Sequence, residues 1–514
     1  MCSISIAQFG FVCLGLLAAL PRFTLAQNDY VANTANASSP GSYNTLVGPS
    51  AGSNITSGIS NSFVGHQAGY NNTSGNYNSF VGASAGYLNA TGNYNSYVGT
   101  SAGYSNSRGN YNSYLGFQAG YNNISDANCF VGYHAGYTNT SGFANCFMGF
   151  EAGLKNTTGV QNNFVGYGAG TSNTTGASNS FFGTDAGYYN TTGSNNNFFG
   201  YSAGQSTTTG SNNVFAGYQA GSANTSGYSN VATGIRTAYK NSLGHNNVAV
   251  GDSAGYNNTV SGNTFIGSKS GYNNTTATNN TFLGYQSGYN VTTGSNNIII
   301  GPTSGTAISE GSDNVLIGYN SQANEGIFNG IAIGSNSWVA SSNSLILGNE
   351  VNVGIGTSAP MDRLEVVSPA PDKSGVRLTK LTTSSPALLA TDQFLTVDEW
   401  GEIVKARYQL RITHPSEWSD KVFSPAYQLR SLSWVAAYIA QHGHLPNVPS
   451  ADEVVKEGVD LVKMNATLLE KVEELTLYSI DQDKTNQQQQ KQIEDQQHKI
   501  DRLEKLVNQL LEKK

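Results

Sequence analysis

The sequence predicts a mainly β protein whose largest part is a parallel β-solenoid. Three observations predict it. A unit of about 17 residues recurs in tandem over residues 41–350, marked by a glycine such as Gly82 and then Gly99. Each unit opens with a short β-prone run, such as Ser79–Val81, and closes with Asn, Thr, Ser and Gly, which favour turns. The residues just before each marker glycine keep their type from unit to unit.

The length of the unit limits what it can contain. About 17 residues hold two short strands and two turns, but not a helix, two strands and their connections. We therefore predict about 18 turns of the solenoid, each formed by one unit and called a rung here. The rungs stack at roughly 4.8 Å and form a rod of roughly 80–90 Å. Asn recurs at one turn position, which predicts ladders of side-chain amides along the axis. A disordered Gly/Asn/Ser/Thr-rich spacer has a similar composition, but it does not keep apolar residues in register.

Positions in a unit are numbered here from the marker glycine, G. Positions G−1 and G−2 are both apolar in most units, as in the pair Val81 and Phe80. Neighbours on a strand point to opposite faces, and a large exposed apolar row is rare on a soluble monomer. We therefore expect one row inside the rung and the other between chains. By analogy with Val248 and Val250, we assign G−1 and G−3 to the interior and the G−2 aromatics, such as Phe198, to the inter-chain side.

The distribution of charge argues against several classes of function. Residues 41–350 carry 13 charged side chains, whereas residues 351–514 carry 42. Nucleic-acid binding needs clustered Lys and Arg, so we expect no nucleic-acid partner. The array also has too few carboxylates and histidines to stage acid–base chemistry. We expect no enzyme activity, no catalytic residue, no cofactor and no metal site.

The N-terminus is typical of secretion. Residues 1–26 predict a signal peptide, in which the apolar stretch Phe9–Leu20 is too short to span a membrane comfortably. Residues 27–40 then form a linker. We expect an extracellular or cell-surface protein after cleavage, with no transmembrane segment in the mature chain.

Two features of the array leave alternatives open. Cys129 and Cys146 occupy G−3 in adjacent units. They are either a disulfide pair within reach or small residues where other units have Ser.

The array also contains many Asn-x-Ser/Thr triplets, for example at Asn54, Asn139 and Asn156. In a eukaryotic secretory path these asparagines are acceptors for glycosylation. Alternatively, the triplets are only a consequence of Asn- and Thr-rich turns.

The last units carry a family resemblance. The segments "NNVAVGDSAG" (residues 246–255) and "GIAIGSNSWVASSNSLILG" (residues 330–348) resemble head repeats of trimeric autotransporter adhesins. The resemblance implies a left-handed parallel β-roll with three chains side by side, and hence a homotrimer.

Beyond the array, the composition changes. Residues 351–410 read as a β-rich neck, in which "NVGIGTSAPMDRLEVV" (residues 352–367) resembles an element of tail-fibre-like proteins. Residues 411–463 predict a small α/β module. That region resembles the C-terminal region of secreted bacterial repeat proteins. Its His442 and His444 are more typical of a loop after a helix than of a metal site.

Residues 464–514 predict a coiled coil. Apolar residues recur in heptad register at Val472, Ile493, Ile500 and Val507, with Leu503 and Leu510 between them. Asn486 at a core position favours two strands. We predict three, because the array resembles a three-chain head.

The function predicted is that of a secreted or cell-surface structural or adhesive fibre, a trimeric stalk or head without catalysis. Its side surfaces present a recurring tyrosine, at Tyr70, Tyr87, Tyr104, Tyr121 and Tyr137. The sequence does not identify the host, surface or glycan ligand. One alternative is a phage tail-fibre-like protein with a C-terminal trimerisation or self-processing module. Ser419 and Asp420 suggest it, although Lys421 follows at once and the lysine of such a motif is not in place. The other alternative is ice binding by threonines in the "NTTG" turns.

Overall fold

The computed structural model describes residues 41–370, 375–376, 379, 393–399, 403–407 and 419–512. The chain divides into two compact units, Met1–Arg377 and Leu378–Lys514. The predicted signal peptide (1–26) and linker (27–40) lie outside the described residues, as do parts of the predicted neck and α/β module.

The first unit is a parallel β-solenoid of about 18 turns with a spacing of about 17 residues, as the repeat predicts. Each turn contributes one short strand to a 19-stranded sheet. The strands are β1 Thr45–Val47, β2 Ser62–Val64, β3 Ser79–Val81, β4 Ser96–Val98, β5 Ser113–Leu115, β6 Cys129–Val131, β7 Cys146–Met148, β8 Asn163–Val165, β9 Ser180–Phe182, β10 Asn197–Phe199, β11 Val214–Ala216, β12 Val231–Thr233, β13 Val248–Val250, β14 Thr264–Ile266, β15 Thr281–Leu283, β16 Ile298–Ile300, β17 Val315–Ile317, β19 Gly330–Ile333 and β21 Ser344–Leu347.

Successive strands pair in parallel, with equivalent positions of the repeat opposite each other. Phe80, for example, lies between Phe63 and Tyr97 in the sheet. Because the register equals the repeat, every chemical feature of one unit stacks on the same feature of the next.

The prediction of two strands in every rung is wrong for most of the array. Up to β17, a rung has one three-residue strand, and the rest of the unit is turns whose backbone N–H groups donate to carbonyls of neighbouring rungs. Near the end a second small sheet forms from β18 (Gln322–Ala323) and β20 (Trp338–Val339). The following pair is β22 (Val353–Ile355) with β23 (Leu364–Val366). Gly- and Asn-rich turns, with many residues in the left-handed conformation, explain why no second strand forms earlier.

The assignment of the two strand faces is also wrong. The aromatics at G−2 fill the rung interior, where Phe198 is fully buried between Phe181 and Phe215 at centroid distances of 4.7 and 5.0 Å. Positions G−1 and G−3 point outward. In the unit used for the analogy, Ala249 is buried and Val248 and Val250 are half-buried. A Val–Ser pair does not fill the interior, whereas one aromatic ring does so in most rungs and also stacks on its neighbours; other rungs have a smaller apolar residue, such as Ala232 or Ile299.

Two glycines in most units are required by this packing, although Ala238 replaces the second one after Gly234. Gly82 has φ +137°, and a Cβ there would lie 2.5 Å from the carbonyl oxygen of Gly99 in the next rung. Gly86 has φ +58°, and a Cβ there would lie 2.5 Å from the ring of Phe80. The first glycine lets the rungs approach closely, and the second leaves room for the aromatic ring.

The second unit is mixed α/β in its described parts. An antiparallel hairpin joins β24 (Gln393–Val397) to β25 (Ile403–Arg407). A 3₁₀ helix at Ser419–Phe423 precedes α1 (Leu432–His442) and α2 (Ala451–Glu457), and the long α3 (Leu461–Leu511) follows. Ser431 and Ser450 cap the first two helices, and Ser450 forms a reciprocal capping box with Glu453.

Truncation of a stacked core ring tests the corrected faces. We expect Phe198→Ala to lower the free energy of unfolding by about 3–5 kcal/mol, because a fully buried ring leaves a cavity between two stacked neighbours. Chemical denaturation with hydrogen exchange would locate the loss in the rungs around Phe198, since solenoid stability is a sum over rungs and their interfaces.

The adjacent Phe199 is the matched control. Its ring points outward and is 44% exposed, so Phe199→Ala should cost much less in an isolated chain. Equal losses for the two variants would contradict the assignment of faces.

Candidate functional site: the outer rows of the solenoid

The most extensive candidate surface is the outer strand face, defined by the side chains at G−1 and G−3. The G−1 row is apolar in all but one rung, where Thr233 occurs, and several of its members are more than a third exposed, for example Val81 at 40% and Leu115 at 51%. The row comprises Val47, Val64, Val81, Val98, Leu115, Val131, Met148, Val165, Phe182, Phe199, Ala216, Thr233, Val250, Ile266, Leu283, Ile300, Ile317, Ile333 and Leu347.

The G−3 row changes in character along the array. It is Ser in early strands, as at Ser79 and Ser96, and becomes apolar later, as at Ile298 and Val315. In the late rungs both outward positions of a strand are therefore apolar, and the apolar part of the face is about twice as wide.

Two amide ladders hold this face in place from inside. The first is formed by Asn at G−4: the side-chain oxygen of Asn61 accepts hydrogen bonds from the backbone N–H and the side-chain amide of Asn78, at 2.9 and 3.1 Å. The Asn78 amide also donates to Gly92 O at 2.8 Å. The turn before each strand is thereby tied to the rungs on both sides, which confirms the predicted Asn ladders.

The second amide ladder is formed by Asn at G+7. Asn173 donates to the side-chain oxygen of Asn156 at 2.7 Å, and Asn156 donates to that of Asn139 at 2.6 Å. Both Asn139 and Asn156 are fully buried, so a glycan on either does not fit the folded rung. Asn54, in contrast, is exposed. The Asn-x-Ser/Thr triplets at Asn139 and Asn156 thus have a structural reason.

The second ladder is interrupted in several places, for example at Val291, and two of the interruptions are instructive. At Tyr97 the core ring carries a hydroxyl, and the amide of Asn106 donates to that hydroxyl instead of continuing the ladder. Burial raises the pKa of Tyr97 well above its ordinary value. At Thr207 the Asn is replaced, and the side-chain oxygen of Asn190 has no hydrogen-bond partner within the described chain.

Tyrosines form outer rows on the turns. The predicted row Tyr70–Tyr137 is half-buried, and its rings stack at 4.9–5.1 Å. A second row at G−5, which we call the corner tyrosine row, consists of Tyr77, Tyr94 and Tyr111 with stacking distances of 5.0 and 5.2 Å. Stacked rings present their edges outward, whereas a sugar ring packs best on an aromatic face. Face-to-face stacking on a glycan is therefore not the natural use of these rows.

Cys129 and Cys146 are free thiols opposite each other on β6 and β7. Both are half-buried on the outer strand face. Partial burial, followed by the neighbouring Cys129, raises the pKa of the Cys146 thiol. The structure thus contains the pair as two thiols at a position where other rungs have Ser.

The first threonine of the "NTTG" turns is engaged within the solenoid, whereas the second, such as Thr158 or Thr192, is exposed. Thr157 donates its hydroxyl to the carbonyl oxygen of Thr174 in the next rung at 3.0 Å, and Thr174 does the same to Thr191 at 2.9 Å. A hydroxyl that donates along the axis is not free to donate to ice, so the ice-binding alternative depends on the exposed second threonines alone.

In the second unit, Ser419 and Lys421 belong to the same 3₁₀ helix. The Nζ atom of Lys421 lies 3.0 Å from a carboxylate oxygen of Glu470 on α3. An ammonium group paired with a carboxylate is a poor general base for a serine nucleophile. This pairing gives no support to a Ser–Lys processing site.

His442 and His444 lie at the end of α1 and just after it. The Nδ1 atom of His442 is 3.0 Å from Tyr438 O, and that of His444 is 3.0 Å from Leu445 O. Their rings are 6.3 Å apart and nearly perpendicular. Among the described residues, no three or more His, Cys, Asp or Glu side chains cluster as a metal site would require.

A cleft of about 790 Å³ lies between the α1 region and α3. Its apolar lining comes from Leu432, Val435 and Leu445 on one side and from Leu468, Val472 and Leu475 of α3 on the other. Its polar end holds Lys471, whose Nζ is 2.8 Å from Glu474, and the hydroxyl of Tyr427, which donates to Glu474. Burial and the Glu474 carboxylate raise the pKa of Tyr427.

Comparison with known proteins adds no relative: no family model, curated protein or solved structure matches this chain. Within the part of the chain that the structure describes, no helix is long and apolar enough to cross a membrane.

The sequence analysis missed the corner tyrosine row and the cleft. A signal for the former was present, because Tyr recurs at the same distance before Gly82, Gly99 and Gly116. The cleft had no such signal, since it depends on how far the α1 region packs from α3.

Removal of one ladder amide tests its structural role. Asn156→Ala deprives Gly159 O and the side chains of Asn139 and Asn173 of a partner. Because buried unpaired polar groups cost about 1–3 kcal/mol each, we expect a loss of at least about 2 kcal/mol in the free energy of unfolding, measured by chemical denaturation.

Two variants control this experiment. Asn54→Ala removes an exposed Asn–Asn contact and should change stability by less than about 0.5 kcal/mol. Thr207→Asn restores the missing ladder member beside Asn190 and should stabilise by about 1 kcal/mol. A destabilising Thr207→Asn would show that the ladder is not the source of the stability.

Proposed function

We propose that this protein is a secreted or cell-surface structural and adhesive fibre, in which three copies of the chain associate in parallel through their outer strand faces and their C-terminal helices. The observation that carries the proposal is the exposed apolar G−1 row, which runs from Val47 on β1 to Leu347 on β21. The likeness of the last units to heads of trimeric autotransporter adhesins supports the number of copies.

The spacing of the row favours a second copy as its partner. One apolar side chain follows another at the inter-strand spacing, about 4.8 Å, over about 18 turns. A partner that covers such a row along its whole length must present features with the same period. A parallel copy of this chain has the same period, because its own outer strand face carries the same apolar row.

Charge permits the same arrangement. The strands that form the outer face carry Ser, Thr, Asn, Cys and apolar residues at G−3 and G−1, and no Lys, Arg, Asp or Glu from β1 to β21. Association of identical faces therefore places no like charges opposite each other and buries no unpaired ion, which would be costly.

The long helix α3 contributes a second surface of the same kind. Its heptad positions are exposed in the single chain, with Val472 at 57%, Ile500 at 48% and Leu503 at 60%. Packing with α3 of two other copies would bury this seam as a coiled coil. Leu468, Val472 and Leu475 also line the cleft, so the seam continues into the α1 region.

Adhesion is assigned to the turns, which remain outside when the strand faces associate. They carry tyrosine rows and few charges, which suits contact with a surface more than capture of an ion or a charged polymer.

The association surface is tested by placing charge on it. We expect Ile266→Glu with Leu283→Glu to shift the full chain from trimer to monomer at micromolar concentration, because six carboxylates would meet at the centre of the assembly. Sedimentation or light scattering measures the mass, and circular dichroism checks that the β-sheet remains.

The matched control places the same charges on the same rungs elsewhere. Thr276 and Thr293 are exposed turn residues, so Thr276→Glu with Thr293→Glu should leave the mass unchanged. Wild-type protein that is monomeric at this concentration would overturn the proposal, and so would an unchanged mass for the charged outer face.

The helices are tested separately. We expect Ile500→Lys with Leu503→Lys to melt the C-terminal coiled coil, seen as loss of the helical signal in circular dichroism, while the β signal is largely kept. The reason is that the solenoid buries its own core of stacked rings and amides. Collapse of the β signal would mean that the solenoid needs the helices in order to fold.

A further inference from the structure

We propose that the corner tyrosine row, Tyr77, Tyr94 and Tyr111, is a site of oxidative cross-linking, at which adjacent rungs of one chain are joined by dityrosine bonds. The inference is independent of the number of chains in the fibre. It depends on three features of the row: its spacing, its exposure and the backbone on which it stands.

The spacing brings the reacting carbons close. The ring centroids of Tyr77 and Tyr94 are 5.0 Å apart with planes 5° from parallel, and those of Tyr94 and Tyr111 are 5.2 Å apart with planes 3° from parallel. The carbons beside the two hydroxyl-bearing carbons therefore face each other across one rung spacing. Rotation of the exposed side chains is enough to bring two such carbons to bonding distance.

Exposure distinguishes this row from the core tyrosines and from the row that begins at Tyr70, whereas the exposed pair Tyr201 and Tyr218, at 50% and 43%, is stacked less closely at 5.5 Å. The three side chains are 50%, 51% and 64% exposed. The core pair Tyr97 and Tyr114 is stacked more closely, at 4.7 Å, but is buried. An oxidant does not reach that pair, and its rings are held by the surrounding rungs.

Proton loss points to the same choice. A phenol loses a proton when it becomes a phenoxyl radical, and burial raises the pKa of both Tyr97 and Tyr114 far above the ordinary value. The row that begins at Tyr70 is intermediate in burial between the core pair and the corner tyrosine row. Burial is the main cause, and the neighbouring Tyr104 the second cause, of a raised pKa at Tyr121.

Tyrosine is not a residue that the backbone favours at these corners. Tyr77, Tyr94 and Tyr111 adopt φ values of +57°, +57° and +59°. Asn and Gly occupy this left-handed region at lower cost than a bulky side chain. Later rungs indeed have Asn at the same position, as at Asn195 and Asn212, so folding alone does not call for Tyr here.

The chemistry balances with hydrogen peroxide as the oxidant and a haem peroxidase as its catalyst. Each of two tyrosines loses one electron and one proton to form a phenoxyl radical. The radicals join by a carbon–carbon bond beside the oxygens, and the two hydrogens on the joined carbons move to those oxygens and restore both phenols. One peroxide takes up the two electrons and two protons and leaves as two waters.

The test uses the full chain at low concentration with hydrogen peroxide and a haem peroxidase. We expect dityrosine fluorescence, a chain mass lower by two hydrogen atoms per bond, and cross-links at Tyr77–Tyr94 or Tyr94–Tyr111. Trypsin cuts after Arg108, so a Tyr94–Tyr111 bond joins two peptides that are otherwise separate, and fragmentation distinguishes it from a Tyr104–Tyr121 bond.

Substitutions decide the matter. Tyr94→Phe leaves Tyr77 and Tyr111 two rungs, about 10 Å, apart, so the yield of this row should fall at least tenfold. Tyr77→Phe with Tyr111→Phe should do the same if the first variant folds poorly. The control Tyr319→Phe removes an equally exposed tyrosine whose neighbouring rungs have Pro302 and Ser335 at its position, and it should have no effect.

The proposal is overturned if the wild-type chain forms no dityrosine, or if Tyr94→Phe couples as well as the wild type. It is equally overturned if the bonds form mainly between chains, in the core pair or in the row that begins at Tyr70. A cross-linked chain should also show slower hydrogen exchange in the rungs around Tyr94, because a bond between rungs opposes their separation.

Discussion

In-register parallel pairing at one rung spacing is the constraint on which the rest of this solenoid depends. Each strand up to β17 has three residues and no independent stability, so a rung persists only because equivalent groups lie above and below it. A backbone N–H of one rung donates to the next, an amide donates to an amide, and a ring stacks on a ring. A repeat of constant length is the simplest sequence that satisfies all of these contacts together.

The interior of a rung combines two kinds of stabilisation in a small cross-section. In most rungs one aromatic ring supplies apolar burial, and two Asn amides satisfy the carbonyls of tight turns that have no strand partner. The need for each is visible where it fails, because a hydroxyl on Tyr97 diverts an amide and Thr207 leaves an oxygen of Asn190 unpaired. The glycines complete the design by letting turns and rings approach closely.

The same constraint creates the outer surfaces. Because every side chain recurs at the rung spacing, any apolar or aromatic choice at an outward position becomes a row. An apolar row along one face is a surface for another solenoid of equal period, and a tyrosine row at a corner is a set of phenols within reach of one another. Association and cross-linking are therefore both consequences of stacking, one between chains and one within a chain.

Much of the solenoid was predictable from residues alone. The marker glycines established the repeat, and the turn residues on both sides of each β-prone run indicated short strands. Recurrent Asn predicted the amide ladders. Each of these features depends on the residue types within one unit and on the constant length of the unit. Two apolar rows on opposite faces were also visible, at Phe80 and Val81. Which of them lies inside was not, since alternation is the same for either choice. Packing decides it, because the ring of Phe80 fills the interior of a rung in which Gly86 leaves space for it. A serine at G−3 is too small to fill the same space. Likewise, the absence of a second strand in most rungs and the cleft beside α3 depend on the path of turns and helices through space, which no single stretch of sequence specifies.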